Sequence, residues 1–180
     1  MPIMPGTYGL GPETGSLRIE TKRSGAAAKA GHDLVIEVRS WQATLVIGED
    51  PAESSLVLSA DSGSMEVIEG TGGIMELTDE DIVEIRKTLQ DEVLKPGRVE
   101  FRSTSLTPAA DGQRHEVAGE LDLNGQTHPL TFEVEMDADG AVTGTAIVKQ
   151  SDWGIKPYSG LFGTLKVKDE VVVVGGAAAA

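Results

Sequence analysis

The three histidines are the side chains of this chain best suited to acid–base chemistry or metal binding. His32 is followed directly by Asp33, and a carboxylate beside an imidazole can orient the ring for proton transfer. A structural histidine at the start of a strand explains the same pattern and is favoured here. His115 and His128 fall on alternating segments that would expose both side chains. A three-histidine metal site is therefore not expected.

Other motifs with known chemistry are incomplete or absent in the sequence. There is no Gly-x-Ser-x-Gly, no Walker-type glycine loop and no His-Glu-x-x-His. Two glycine-rich stretches, at residues 9–11 and 70–73, lack the third glycine of the dinucleotide fingerprint and are predicted to be loops. Asp137 to Gly140 resembles part of a calcium loop, but the flanking acids are missing, so a hairpin turn is predicted. We therefore expect no catalytic site, no metal and no enzymatic activity.

The composition excludes several classes of partner. The formal net charge is -14, which repels nucleic-acid phosphates, so nucleic acid is not expected as a partner. Because the acidic residues are spread along the chain, they are expected to keep a folded surface soluble. There is no cysteine, and no apolar run is long enough to cross a bilayer. The N-terminal residues lack the pattern of a signal peptide, which favours a cytoplasmic protein.

Short alternating apolar and polar runs, separated by Gly, Asp, Asn and Pro, are typical of half-buried antiparallel strands. The predicted strands cover about residues 16–23, 33–47, 54–61, 64–69, 99–103, 113–123, 126–137, 142–148 and 165–173. The apolar positions change parity near Ser40, which predicts a bulge or a bend there. Asn124-Gly125 between two strong runs predicts a tight hairpin, because both residues tolerate positive φ.

One segment has helical periodicity instead. Thr78 precedes three acidic residues, which is typical of a capped helix start, and Ile82, Ile85, Leu89 and Val93 follow at helical spacing. The sequence predicts one α-helix over about residues 79–94. Taken together, residues 1–175 are predicted to form one all-β domain, an antiparallel barrel of about eight strands with this helix. Residues 176–180 are predicted to be a disordered tail.

Residues 151–163 contain three of the seven aromatic side chains. These are Trp153, Tyr158 and Phe162, with Leu161 between the last two. Such a loop can form an apolar mouth of the barrel, or it can be a core plug that seals one end. Both interpretations remain open at this point.

The ordered set of motifs resembles the YceI-like family of lipocalin-like, polyisoprenoid-binding proteins. The resemblance is carried by Gly119-x-Leu121-x-Leu123-x-Gly125-x-Thr127-His128-x-Leu130-x-Phe132, by Phe101-x-Ser103, by Asp152-Trp153-Gly154-Ile155 and by Val167-x-Asp169-x-Val171-x-Val173. It implies an eight-stranded lipocalin-like barrel around an apolar tunnel that accepts an isoprenoid chain. It also implies that the protein forms a homodimer, and many relatives are periplasmic or secreted.

The predicted inward residues are mostly aliphatic, as a dry sleeve for a hydrocarbon chain requires. The predicted ligand-lining residues are Leu34, Ile36, Val38, Trp41, Leu45, Phe101, Leu121, Phe132, Val134, Trp153, Tyr158, Leu161 and Phe162, with His32 as a polar anchor. Small residues at Ala43, Gly119 and Ala146 are expected to leave the interior unfilled.

The leading hypothesis is a carrier that sequesters a long apolar ligand, such as a polyisoprenoid or an isoprenoid quinone, with no cofactor apart from that lipid. The alternative is an interaction module without a ligand, whose acidic surface binds a partner protein and whose interior is filled. A small enzyme built on His32 with Asp33 or Asp152 is the least favoured interpretation.

Overall fold

Antiparallel strands make up most of the computed structural model, which describes residues 4–94, 96–160, 163 and 165–178. In chain order the strands are β1 (Gly6–Leu10), β2 (Gly15–Thr21), β3 (Arg23–Ser24), β4 (Asp33–Val38), β5 (Trp41–Ile47), β6 (Ser55–Asp61), β7 (Met65–Thr71), β8 (Arg98–Pro108), β9 (Arg114–Leu123), β10 (Gln126–Met136), β11 (Ala141–Lys149), β12 (Ser159–Gly160), β13 (Leu165–Val167) and β14 (Glu170–Ala178). The main sheet has eleven strands in the order β1-β5-β6-β8-β9-β10-β11-β14-β2-β4-β7, and a small sheet has the order β12-β13-β3.

The main sheet is strongly curled into a lipocalin-like half-barrel. Only Arg39 and Ser40 separate β4 from β5, so this bent pair of strands joins the two parts of the sheet. On one side of the bend β4 pairs with β2 and β7, and on the other side β5 pairs with β1 and β6. The concave face consequently surrounds an interior space.

The bend predicted near Ser40 is confirmed. It lies against the second bend, between β6 and β7, where the Arg39 amide donates to the carbonyl oxygen of Ser64 at 3.1 Å and the Ser40 amide donates to Ser64 Oγ at 2.9 Å. The amide of Asp61 in turn donates to the Ser40 carbonyl oxygen at 3.0 Å. Because the two bends satisfy each other's backbone groups, the two long strands change direction together.

The number of strands differs from the prediction of about eight. The main sheet gains β1, which the alternation did not predict. The run 33–47 is divided into β4 and β5 by the bend, and the run 165–173 is divided between the small sheet and β14. The small sheet adds two strands of two residues each, β3 and β12. The difference thus comes from bends and from short strands, whereas the antiparallel pairing of the long runs is as predicted.

The two predicted turns are present. Asn124 and Gly125 both have positive φ, 54° and 73°, as a two-residue hairpin between β9 and β10 requires. Asp137 closes the turn before β11, since its Oδ1 accepts hydrogen bonds from the amides of Asp139 and Ala141, both at 2.9 Å. The carboxylate is therefore occupied by the turn itself.

The predicted helix is α1 (Asp79–Thr88), and a π-helical turn, Leu89–Val93, continues it. The Thr78 side chain accepts a hydrogen bond from the Asp81 amide while the Asp81 carboxylate accepts one from the Thr78 amide, a capping box. Ile82, Ile85 and Leu89 pack on the core as predicted. Along the chain α1 lies between β7 and β8, which are not neighbours in the sheet, and it covers the interior there.

The last strand extends further than expected. Residues 176–178, predicted to belong to a disordered tail, pair with β11, where Ala178 is opposite Ala141 and Gly176 is opposite Thr143. Small side chains do not prevent a strand whose backbone is paired on both sides, and β2 supplies the second partner up to Ala177. Among the described residues, no helix has the length and apolar character needed to span a bilayer.

Candidate functional site

A cavity of about 790 Å³, called the bore below, is lined by the concave face of the main sheet and by α1. Every strand of the main sheet contributes side chains to its wall. Its volume lies in the upper part of the range of about 300–1,000 Å³ that is typical of small-molecule sites. The wall is mostly aliphatic, so the bore can hold an apolar molecule and exclude water from it.

Most of the residues predicted to line the interior do so. These are Leu34, Ile36, Val38, Trp41, Phe101, Leu121, Phe132, Val134 and Tyr158, and His32 lies on the wall as well. Each belongs to the inward side of a strand or to the segments that cover one end. Leu161 and Phe162 lie outside the described residues.

Leu45 was predicted to line the bore, and this prediction is wrong. The side chain is 1% exposed and belongs to the packed core, where Tyr8 and Leu56 are its partners on the neighbouring strands. Ala43, two residues earlier on the same face of β5, does line the bore. The interior is therefore hollow along only part of β5, and side chains meet beyond it.

Trp153, in the aromatic loop, was predicted to line the bore but does not. It is 3% exposed, its Nε1 donates to the carbonyl oxygen of Leu121 at 2.9 Å, and its ring packs edge-on against His128 at 5.6 Å between ring centres. Tyr158, by contrast, is 40% exposed and is part of the wall. Within the described part of the loop, Trp153 is therefore packed in the core, whereas Tyr158 lies on the wall of the bore.

Small residues leave space in the bore, but only two of the three that were predicted to do so line it. Ala43 and Ala146 line it as predicted. Gly119 leaves no space, because the Phe101 ring fills the position that its side chain would take. Gly144 was not predicted to line the bore. It is paired with Gly175 on the neighbouring strand β14, and both line the bore. The run Val171 to Ala178 ends in small residues, which was the signal for this open part of the wall.

One end of the bore is polar. It lies at the start of β14, where Thr21, Arg23, His32, Gln150 and Lys166 contribute to the wall. We call this group of five residues the polar end. Tyr158 lies in the same part of the bore, since the residue after it pairs with Lys166.

The predicted pairing of His32 with Asp33 is not formed. His32 Nε2 lies 2.6 Å from the carbonyl oxygen of Met75, and since a carbonyl accepts, Nε2 carries the proton. Asp33 points away from it, because successive strand side chains face opposite sides, and its Oδ1 accepts from the Arg23 amide at 2.9 Å. His32 therefore holds the segment before α1, and its predicted role as an anchor stays a prediction.

The charges around the bore nearly balance. Among the described wall residues, the cations are Arg23 and Lys166, and the carboxylates are Asp61, Asp81 and Glu84. The pKa of Asp81 is lowered mainly because its carboxylate accepts the Thr78 amide in the capping box, with smaller effects of the Thr78 side chain and of His32. The Asp81 carboxylate is thus engaged in capping the N-terminus of α1.

The three histidines do not form a common site. Within the described ranges, no three histidine or carboxylate side chains are grouped in a way that could hold a metal ion. His115 is paired opposite Val134 on β10, and His128 packs against Trp153. The site that the described residues do form is the bore.

Comparison with known proteins gives a consistent result. The family model of the YceI-like domain matches residues 17–176. The structure is similar to that of BcnA from Burkholderia cenocepacia, with a TM-score of 0.61, 17% identity, and coverage of 89% of this chain and 94% of that one. It is also similar to a polyisoprenoid binding domain from Saccharophagus degradans implicated in plant cell wall breakdown, with a TM-score of 0.53, 10% identity, and coverage of 98% and 100%. No curated protein matches the sequence.

Proposed function

The chain belongs to the YceI-like family, and we propose that it is a carrier that binds one long apolar molecule in its bore. The proposed ligand is a polyisoprenoid lipid or an isoprenoid quinone. The observation that carries the proposal is the mostly aliphatic cavity of about 790 Å³ between the concave face of the main sheet and α1. The similarity to a polyisoprenoid binding domain supports the same ligand class.

The driving force for such binding is the removal of apolar surface from water. Burial of apolar surface stabilises a complex by roughly 25 cal/mol per Å², so a methyl-rich chain gains affinity along its whole length. Ala43, Ala146 and Gly175 widen the wall between larger residues. A flexible hydrocarbon chain can use that space without any specific polar contact.

The alternative of an interaction module without a ligand requires a filled interior. Natural protein interiors pack tightly and contain few voids larger than a water molecule. A cavity of about 790 Å³ is far larger than such voids. This difference favours binding of a ligand over a purely structural barrel, and the same apolar wall favours binding over catalysis.

The proposal is tested by extracting gently purified protein with organic solvent and analysing the extract by mass spectrometry. We expect a lipid with isoprenoid repeats at a stoichiometry near one per chain. Delipidated protein is then titrated with a polyprenol while tryptophan fluorescence is recorded, because Trp41 lies on the wall of the bore. A protein that carries no lipid and shows no fluorescence change with polyprenols would contradict the carrier function.

A further inference from the structure

A second cleft, outside the bore and alongside the small sheet, is lined by lysines. Four lysines contribute to this cleft of about 630 Å³, called the lysine cleft below: Lys149, Lys156, Lys166 and Lys168. They are four of the 15 basic residues of a chain whose formal net charge is -14. All four side chains are exposed, and none of them forms an ion pair with any described residue. The lysine cleft is therefore a cationic surface on an acidic protein.

Two carboxylates also belong to the lysine cleft, but they do not cancel its charge. Asp169 is engaged by Ser151, whose amide donates to Oδ1 at 2.8 Å and whose hydroxyl donates to Oδ2. Glu170 lies opposite Lys149 in the pairing of β14 with β11. Because four cations face two carboxylates, the lysine cleft keeps a net positive charge.

The lysine cleft adjoins the polar end of the bore. Tyr158, Lys166 and Val167 contribute to the walls of both the bore and the lysine cleft. Tyr158 carries an apolar ring with a polar hydroxyl, which suits a boundary between water and an apolar phase. A partner bound at the lysine cleft consequently lies beside the polar end.

Two exposed apolar side chains lie at the same end of the bore. Ile74 and Met75, in the segment before α1, are 80% and 76% exposed. The Met75 carbonyl oxygen accepts from His32 Nε2, and the preceding residue, Gly31, lies against Leu165 of the small sheet, because a Cβ on Gly31 would come within 2.6 Å of Leu165 Cδ1. The apolar pair and the small sheet therefore flank residues 31–32 at the polar end.

Cations next to exposed apolar side chains are typical of surfaces that bind anionic bilayers. Lysines are attracted to the lipid phosphates, while apolar side chains enter the boundary between head groups and acyl chains. The acidic residues elsewhere on the protein oppose such binding only weakly, because exposed charges are screened beyond about 10 Å at 0.1 M salt. The protein can thus approach an anionic bilayer with this end.

Resting on the proposed carrier function, we propose that this end of the protein docks on an anionic phospholipid bilayer. The lysine cleft contacts the lipid phosphates, and Ile74 and Met75 enter the apolar boundary of the bilayer. Docking in this orientation places the polar end of the bore against the membrane, so a lipid can pass between membrane and bore with little exposure to water.

The test is flotation of the protein with vesicles of phosphatidylcholine alone or of phosphatidylcholine mixed with phosphatidylglycerol. We expect binding to the anionic vesicles only, and weaker binding at high ionic strength. Each lysine near an anionic surface contributes about a fivefold gain in binding. The triple variant Lys149→Gln, Lys156→Gln, Lys168→Gln should therefore bind anionic vesicles at least about tenfold more weakly.

A matched control removes the same charge elsewhere. Arg86→Gln, Lys87→Gln and Arg102→Gln alter exposed side chains of α1 and β8 that are not part of the lysine cleft. This control variant should bind anionic vesicles like the native protein. Both triple variants should keep the native melting temperature and the native affinity for polyprenol, since none of the six side chains lines the bore.

The apolar contribution is tested with two methionines of similar exposure. Met75→Ser should weaken binding to anionic vesicles about fivefold, because part of the apolar surface of the side chain is buried on docking. Met4, which is 72% exposed, precedes β1 on the other part of the main sheet, and Met4→Ser should have no effect.

Equal binding to neutral and anionic vesicles, or unchanged binding of the lysine-cleft variant, would overturn the docking proposal. Tighter binding of soluble polyglutamate than of anionic vesicles would overturn it as well, because the partner would then be an acidic polypeptide. A native protein that binds polyprenol but no vesicles would contradict docking alone. A native protein that binds anionic vesicles but takes up no polyprenol would contradict the carrier function instead.

Discussion

The ring of Phe101 occupies the space that a side chain at Gly119 would take. A Cβ on Gly119 would lie 2.6 Å from Phe101 Cζ and 2.3 Å from the carbonyl oxygen of Arg102. The two residues are on neighbouring strands, and the Phe101 ring also meets Phe132 edge-on at 5.1 Å between ring centres. The glycine thus fixes where this aromatic pair lies on the wall of the bore.

We predict that Gly119→Ala destabilises the fold and reduces ligand binding. The added methyl would force both the Phe101 ring and the backbone of β8 at Arg102 and Ser103 to move, and overpacking of a core costs about 1–3 kcal/mol. Urea denaturation measures the loss of stability, and polyprenol titration measures the loss of binding. Gly9→Ala is the matched control, because a Cβ on this β1 residue meets no atom within 4 Å. A Gly119 variant as stable as the control would show that the β8 backbone and the Phe101 ring both adjust to the methyl group without cost.

The two tryptophans should respond differently to ligand. Trp153→Phe removes the hydrogen bond from the indole to the Leu121 carbonyl oxygen, and the loss of one such bond costs about 0.5–1.5 kcal/mol. Because Trp153 is off the bore, this variant should melt at a lower temperature and still show fluorescence quenching by polyprenol. Trp41→Phe should lose the quenching but keep binding, as measured by lipid extraction. Quenching that follows Trp153 instead would place the ligand outside the bore.

The turn between β8 and β9 should contribute stability that depends on pH. Asp111 accepts the Arg114 and Gln113 amides, both at 3.0 Å, and the Arg114 side chain at 2.7 Å. These hydrogen bonds, the one from the Arg114 amide first, lower the pKa of Asp111 from its ordinary 3.8 to about 2. A lowered pKa means that the contribution is complete above the ordinary pKa and is lost as the pH falls through the lowered one.

Melting temperatures of the native protein and of Asp111→Asn, recorded from pH 7 downward, test this contribution. The native protein should melt higher at neutral pH, and the difference should shrink between about pH 4 and about pH 2. A difference that stays constant over this range would mean that the charge of Asp111 does not stabilise the turn.

Much of the fold follows from short-range patterns in the sequence. Alternation identified the inward faces of the long strands because one side of each is buried, as for Ile36 and Val38. Asn124-Gly125 fixed one hairpin, and the Thr78 cap with its apolar stripe fixed the helix, because both signals are local. The short strand β1 was missed, since the segment around Gly9 lacks an alternating pattern.

The position of the bore could not be derived in the same way. Ala43 and Leu45 share one face of β5, yet only Ala43 lines the cavity. Which inward residues meet and which leave a hollow depends on the curl of the whole sheet, a long-range property. The orientation of the buried Gln150 side chain could not be derived either, because its Nε2 donates to the Lys168 carbonyl oxygen on the segment that leads into β14.

A larger side chain that projects into the bore should reduce ligand binding without reducing the stability of the fold. Ala146 lines the bore and is 9% exposed, whereas its neighbour Thr145 is exposed on the outer face of β11. We predict that Ala146→Leu reduces polyprenol binding at least about tenfold while the melting temperature stays the same or rises, because a larger side chain gains contacts in an empty space. Thr145→Leu should change neither quantity. If Ala146→Leu instead lowers stability like an overpacked core and leaves polyprenol binding intact, the space beside Ala146 is too small to be part of the ligand site.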